Sequence, residues 1–246
     1  MNNVAISDCC NSLILCWCLG DDGYRYVVCN PATQKLKVLL PRIHFVGEAR
    51  LGFDPTASSY FYLFEYMEED GLRVGVEIYS SKTAAWIFKE SRWDEEAELT
   101  FSKSATVFLN SCLHYIGFCE GYHCIHAVDI EGKTWREIPN RPCDFSRFIH
   151  QAQGHLCHRT VGGRNMSKLS IWILEDYGTN NKWTLKHTIS LHKLFGKTKK
   201  QMGYFDFESC YIHYTMIHFS LQSCVGKSRV FPTSNVLAIL YLFSVT

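Results

Sequence analysis

Short runs of apolar or alternating apolar and polar residues recur along the chain, separated by Gly, Asn, Asp and Ser. Examples are Tyr60-Phe-Tyr-Leu-Phe-Glu-Tyr66, Val74-Gly-Val-Glu-Ile-Tyr79, Val107-Phe-Leu109, Leu113-His-Tyr-Ile116, Ile125-His-Ala-Val128 and Leu169-Ser-Ile-Trp-Ile-Leu174. A period of two, with almost no 3.6-residue periodicity, predicts strands rather than helices. Asp22-Gly23, Asp70-Gly71, Asn110-Ser111, Glu131-Gly132 and Gln153-Gly154 stand between the runs as hairpin turn signals. The pattern therefore predicts short antiparallel strands joined by tight turns.

Four segments repeat one pattern: an apolar strand, a polar turn, then an aromatic residue or Leu opening a second strand. They are Tyr26-Val-Val-Cys-Asn30 with Leu36, Val76-Glu-Ile-Tyr-Ser80 with Trp86, Ala127-Val-Asp-Ile130 with Trp135, and Ile171-Trp-Ile-Leu-Glu-Asp176 with Trp183. The anchors are spaced 86 − 36 = 50, 135 − 86 = 49 and 183 − 135 = 48 residues apart. Within one period lie a piece near Arg50 to Phe53 and strands over Tyr60 to Met67, Val74 to Tyr79 and Ala84 to Phe88. A period near 50 with four strands per unit predicts an all-β fold, an incomplete kelch-like β-propeller of about four four-stranded antiparallel blades. One such sheet cannot bury both faces alone, so blades must pack on each other. Trp86, Trp135 and Trp183 are expected as core residues at those contacts.

Composition then narrows the function. The chain has 246 residues, 47% of them apolar and 14% aromatic, with 25 Lys plus Arg against 24 Asp plus Glu. That balance excludes disorder, and a net charge of +1 gives no field for nucleic acid or an anionic membrane. The longest apolar run, Val236 to Phe243, is too short to cross a bilayer. The first basic residue is Arg25, beyond the apolar run Leu13 to Leu19, so no secretory signal is read, and the sequon Asn165-Met166-Ser167 is taken as chance. The expected compartment is cytoplasmic and/or nuclear, with the 12 cysteines reduced and mostly small buried hydrophobes. Residues 1–200 are read as the propeller-like domain, ending near a short helical turn at Leu191 to Phe195 and a solvated basic run, Lys197 to Lys200. Residues 201–246 keep no period and read as a divergent tail.

Candidate chemistry is sparse. His114, Cys119, His123, Cys124 and His126 form the best metal candidate, followed by His150, His155, Cys157 and His158, yet the chain has no Cys-x-x-Cys pair of structural-zinc spacing. Core cysteines and surface histidines are the simpler reading. Asp54, Asp129 and Asp176 could be tested as glycosidase-type carboxylates. However, Asn30, Ser80 and Asp129 stand six residues before their anchors and Asp176 seven, which suits side chains that cap equivalent turns. Neither a Gly-x-Ser-x-Gly elbow nor a Gly-rich phosphate loop is present in the sequence. The acidic stretches Asp94-Glu95-Glu96-Ala97-Glu98 and Glu68-Glu-Asp70 read as solvated loops.

Six phrases in order carry a family resemblance. Ser12-Leu-Ile-Leu-Cys16, Tyr26-Val-Val-Cys-Asn-Pro-Ala-Thr33, Leu51-Gly-Phe-Asp-Pro55, Val76 to Ser81 with Trp86, Ala127 to Trp135, and Leu169 to Tyr177 with Trp183 resemble the F-box associated domain of plant F-box proteins. The resemblance implies a non-catalytic, propeller-type module without cofactor or metal, which captures protein substrates for a Skp-cullin-F-box ubiquitin ligase. In that family an F-box ahead of the domain binds the Skp adaptor. Here Met1 lies eight residues before Cys9, so adaptor binding is expected only if an F-box is supplied upstream, and a chain altered at both ends is the working expectation. Partners are expected on the loops that connect strands and blades. The alternative from another class is a small β-scaffold metalloprotein or enzyme using the Cys and His cluster as a zinc site.

Overall fold

The computed structural model describes residues 4–20, 23–39, 49–69, 72–91, 98–99, 106–119, 122–139, 148–162, 168–178 and 181–190. The short helical turn at Leu191 to Phe195, the basic run at Lys197, the sequon, the acidic residues Asp94 to Glu96 and the tail lie outside them. No described residue is helical, and four antiparallel sheets follow one another along the chain.

The first sheet is β1 (Val4–Cys10), β2 (Leu13–Gly20), β3 (Gly23–Asn30) and β4 (Lys35–Val38). The second is β5 (Arg50–Gly52), β6 (Tyr62–Glu69), β7 (Leu72–Ser80) and β8 (Ala85–Glu90). A two-residue strand, β9 (Glu98–Leu99), pairs with β11 and extends the β10 edge of the third sheet, β10 (Thr106–Leu109), β11 (Cys112–Cys119), β12 (Tyr122–Asp129) and β13 (Trp135–Pro139). The fourth is β14 (Phe148–Ala152), β15 (His155–Gly162), β16 (Lys168–Leu174) and β17 (Trp183–Ser190). Every sheet is a meander in chain order, which is the blade-type arrangement the repeat predicts. Of the turn signals, Asn110-Ser111, Glu131-Gly132 and Gln153-Gly154 fall between consecutive strands of a sheet and Gly23 opens β3, while Asp22, Asp70 and Gly71 lie outside the described residues.

Adjacent sheets pack face to face. Leu13, Leu15, Tyr26 and Val28 of the first sheet meet Leu51, Leu63 and Tyr79 of the second. Phe64, Tyr66, Val76 and Ile78, on the second sheet's other face, meet Phe108, Leu113, Tyr115 and Val128 of the third. Ile116, Ile125 and Ile138 then meet Ile149, Leu156 and Leu174 of the fourth. Leu63 and Phe64 are neighbours in sequence and both 0% exposed, which shows that the second sheet is covered on both faces. That double burial is why β6 opens as a continuous apolar run, Tyr62-Leu-Phe64, instead of clean alternation.

The first strands of the sheets touch in succession, β1 with β5, β5 with β10 and β10 with β14, and so form the inner edge of the array. Side chains join the first two. Asp8 Oδ2 accepts from the Leu51 amide at 2.8 Å, Ser7 Oγ donates to Ala49 O at 3.4 Å, and Cys10 Sγ and Asn11 Nδ2 both donate to Phe53 O.

The outer edge is directional. Trp86, Trp135 and Trp183 each pack backward onto the seam with the preceding sheet, where they are half-buried rather than fully enclosed as expected, because each opens an edge strand. Trp183 Nε1 donates across its seam to Pro139 O at 3.0 Å. Leu36 holds the equivalent place in the first sheet and is 52% exposed, since no described sheet precedes it. Cations reach forward instead. Lys37 Nζ donates to Ser81 O at 3.3 Å, Lys89 lies where a Gly132 side chain would stand, and the Arg136 guanidinium sits 5.3 Å from the centre of the Tyr177 ring.

Candidate interaction surface

The two Cys and His groups are divided by strand alternation. The register pairs His126 with Tyr115 and Cys124 with Gly117, so both lie on the face of the third sheet toward the second, whereas His114, opposite Ala127, lies on the other face. His114, His126 and His158 are fully buried, which corrects the expectation of surface histidines: inner strands of a stacked sheet have no solvent face. His114 Nδ1 lies 3.1 Å from Val107 O, so it must carry the proton, and Nε2 then accepts from the Tyr177 hydroxyl at 2.8 Å. Burial pushes this imidazole down to about 4, so it is neutral at pH 7. His126 Nε2 lies 3.0 Å from Cys124 Sγ, with Glu137 3.9 Å from its other nitrogen. The side chains of Cys119 and His123 lie outside the described set.

In the fourth sheet His150 and Cys157 face away from His158, and His150 Nδ1 accepts from Arg159 Nε at 3.2 Å. His155 is exposed at the turn. Among the described residues no three His, Cys, Asp or Glu side chains come together as a metal-holding group. Cys9, Cys10, Cys16, Cys18, Cys29, Cys112 and Cys157 are free thiols, as expected, whereas Cys124 is disulfide-bonded, a departure from the all-reduced reading. Burial holds the Cys10, Cys112 and Cys157 thiols above their ordinary range, which disfavours the thiolate a nucleophile needs.

The carboxylates serve their own turns. Asn30 Oδ1 accepts from the Ala32 and Thr33 amides, Ser80 Oγ from the Lys82 amide, and Asp129 from the amides of Glu131, Lys133 and Thr134. Burial opposes ionisation of Asp129, but the Thr134 hydroxyl and these amides outweigh it and hold the carboxyl below its ordinary range. Asp176 differs from expectation. Its carbonyl accepts from the Asn181 amide, while the side-chain acceptor in that turn is Asn181, toward the Gly178 amide. This turn is longer, which explains its spacing of seven.

Within each sheet the turn between the first and second strands and the turn between the third and fourth lie at one end, because the strands alternate in direction. Three of the four inner turns have two residues, 11–12, 110–111 and 153–154, and Asn110, Ser111, Gln153 and Gly154 adopt the positive φ that such hairpins require. The second sheet breaks this rule with a nine-residue connection over 53–61. Asp54 organises it, accepting from the Thr56 amide at 2.9 Å and the Thr56 hydroxyl at 2.6 Å. The hydroxyl bond, the largest influence, holds the Asp54 carboxyl below its ordinary range. The Phe61 amide donates to Ser81 Oγ and Phe61 O accepts from the Ser81 amide, so the loop is fastened to the outer turn of its own sheet.

Beside this fastening Tyr60 is 41% exposed, with Lys82 Nζ 5.8 Å from its ring centre. Lys37 crosses from the first sheet to Ser81, 5.8 Å from the Phe61 ring centre and 5.7 Å from that of Tyr79. Lys35, two residues earlier on the same strand, shares the face of Lys37 and is exposed. Sequence reasoning expected partners on connecting loops but named no residue. The signal was available: polar Asp54 to Ser59 stands where the other repeats have a two-residue turn.

No curated protein sequence matches the chain significantly. Solved structures of similar shape include the nidogen/laminin complex, at 9% identity and TM-score 0.40, covering 76% of this chain and 78% of that one. Another is YCF48 bound to a D1 peptide, at 8% identity and TM-score 0.41, where the match covers 72% of this chain and 50% of that one. A model of the F-box associated beta propeller domain matches residues 1–217, most of the chain and all four described sheets, and the chain therefore belongs to that family.

Proposed function

We propose that this chain is the substrate-recognition part of an F-box subunit of a Skp-cullin-F-box ubiquitin ligase, binding a protein substrate without catalysing a reaction on it. The observation that carries this reading is the nine-residue connection over 53–61, which alone among the inner turns departs from the repeat and exposes an aromatic side chain, Tyr60, beside Lys82. A surface that breaks the symmetry of its scaffold suits a site whose demands come from outside the fold. The Skp adaptor is engaged only where an F-box stands upstream of the domain. The protein works in the plant cytoplasm and/or nucleus.

The test compares cells with and without the protein. Proteins retained by the full chain, and lost with Tyr60→Ala, should accumulate and carry less ubiquitin when the protein is removed. Retained proteins whose abundance and ubiquitin content stay unchanged would overturn the ligase role.

A further inference from the structure

Resting on the interaction-module reading, we propose that the turn end of the first two sheets binds an acidic segment of a protein partner. Three cations meet at this seam. Lys35 and Lys37 project from β4 toward the second sheet, and Lys82 stands in the turn they approach. No carboxylate among the described residues pairs with any of them, and the nearby Asp54 is occupied by Thr56.

The equivalent turns of the other sheets are neutralised. Lys133 pairs with Glu131 at 2.6 Å in the third sheet, and Lys186 pairs with Glu175 beside the outer turn of the fourth. Among the described outer turns, lysines without a carboxylate partner therefore gather at this seam, in a chain whose net charge is only +1. Contacts already hold part of this site in place. Lys37 is fixed by Ser81 O and by two ring faces, and Lys82 lies over Tyr60, so less side-chain freedom is lost on binding. The exposed Ser59 hydroxyl adds a donor for carboxylate or phosphate oxygens. Charge matching of this kind sets partner choice and association rate.

The same chemistry arises from Asp and Glu side chains or from phosphoserine, and peptides separate the two. Full-length protein is titrated by fluorescence anisotropy with labelled peptides of about ten residues: one rich in Glu, one with phosphoserine in place of Glu, and one with Gln throughout. The Gln peptide should bind at least roughly tenfold more weakly than the better anionic peptide, with affinity falling as salt rises. Whichever anionic peptide binds more tightly identifies the anion. Lys35→Glu with Lys82→Glu should abolish the preference, whereas Lys133→Glu should leave affinity within about twofold. These lysines are exposed, and far-ultraviolet circular dichroism checks that the variants fold.

Equal binding of all three peptides, no binding up to about 1 mM, or an equal loss with Lys133→Glu would overturn the proposal. The variants also distinguish the two readings. If the Lys35→Glu, Lys82→Glu protein still retains its cellular partners, the acidic-segment proposal fails and the interaction module stands. If wild-type protein binds the Glu peptide yet its retained proteins show no change in ubiquitin, the ligase role fails and the site stands.

Discussion

A buried polar side chain in this fold is acceptable only where its partners are fixed, and His114 shows the consequence for pH. Its Nδ1–H and Nε2 are both used, by Val107 O and the Tyr177 hydroxyl, and Arg136 stands near enough to oppose a positive charge on the ring. The folded-state pKa of about 4 lies below the ordinary value of 6.5, so the unfolded chain takes up the proton first as pH falls. Stability from this residue is therefore constant above about 6.5 and declines toward about 4, by on the order of 3 kcal/mol at the acid limit. His114→Gln, which keeps one donor and one acceptor, should give a correspondingly shallower loss between pH 7 and 4.5 in urea titrations. An equal loss in both proteins would exclude His114 as the titrating group. The sequence marked His114 as a candidate ligand, but its role depends on Tyr177, 63 residues away, and local spacing carries no trace of that contact.

At the level of elements, strands and turns were the most legible part of the sequence because their determinants are local. Alternation located β7 and β11, and the Asx and Ser positions marked turns whose backbone they cap. Boundaries moved where an edge strand ran past its apolar residues, as in β8, which continues from Phe88 to Glu90. The caps should differ in weight. Asp129 satisfies three backbone amides and Ser80 one, so Asp129→Ala should lower unfolding free energy by about 1–2 kcal/mol and Ser80→Ala by less than about 1 kcal/mol. Matched urea midpoints for the two variants would refute that order. The loop over 53–61 escaped prediction for the opposite reason. Its conformation depends on Ser81 and Asn11, which lie outside the segment.

For the whole molecule, the repeat foretold four sheets but not how each seam closes, since that requires facing residues about one period apart. Gly52 and Phe108 illustrate such a pair. A Cβ on Gly52 would lie 2.6 Å from the Phe108 ring and 3.0 Å from Phe64. Gly52→Ala should cost about 1–3 kcal/mol by overpacking and Phe108→Ala about 3–5 kcal/mol by leaving a cavity. In the Phe108→Ala background the glycine substitution should cost far less, because the cavity accepts the methyl group. Additive losses in thermal or urea unfolding would show that the two sites do not meet. The inner edge has a further mechanical implication. Within a sheet the strands are laced by continuous backbone ladders, but β1 and β5 are stitched by Asp8, Ser7, Cys10 and Asn11 side chains to backbone atoms. Such stitches can lengthen or part without unpicking either ladder, so the sheets behave like stiff pages on a compliant spine. Fanning of the first two pages would alter the distance between Lys35 and Lys82, which stand on opposite pages, and the grip on a partner would then be adjusted at the binding.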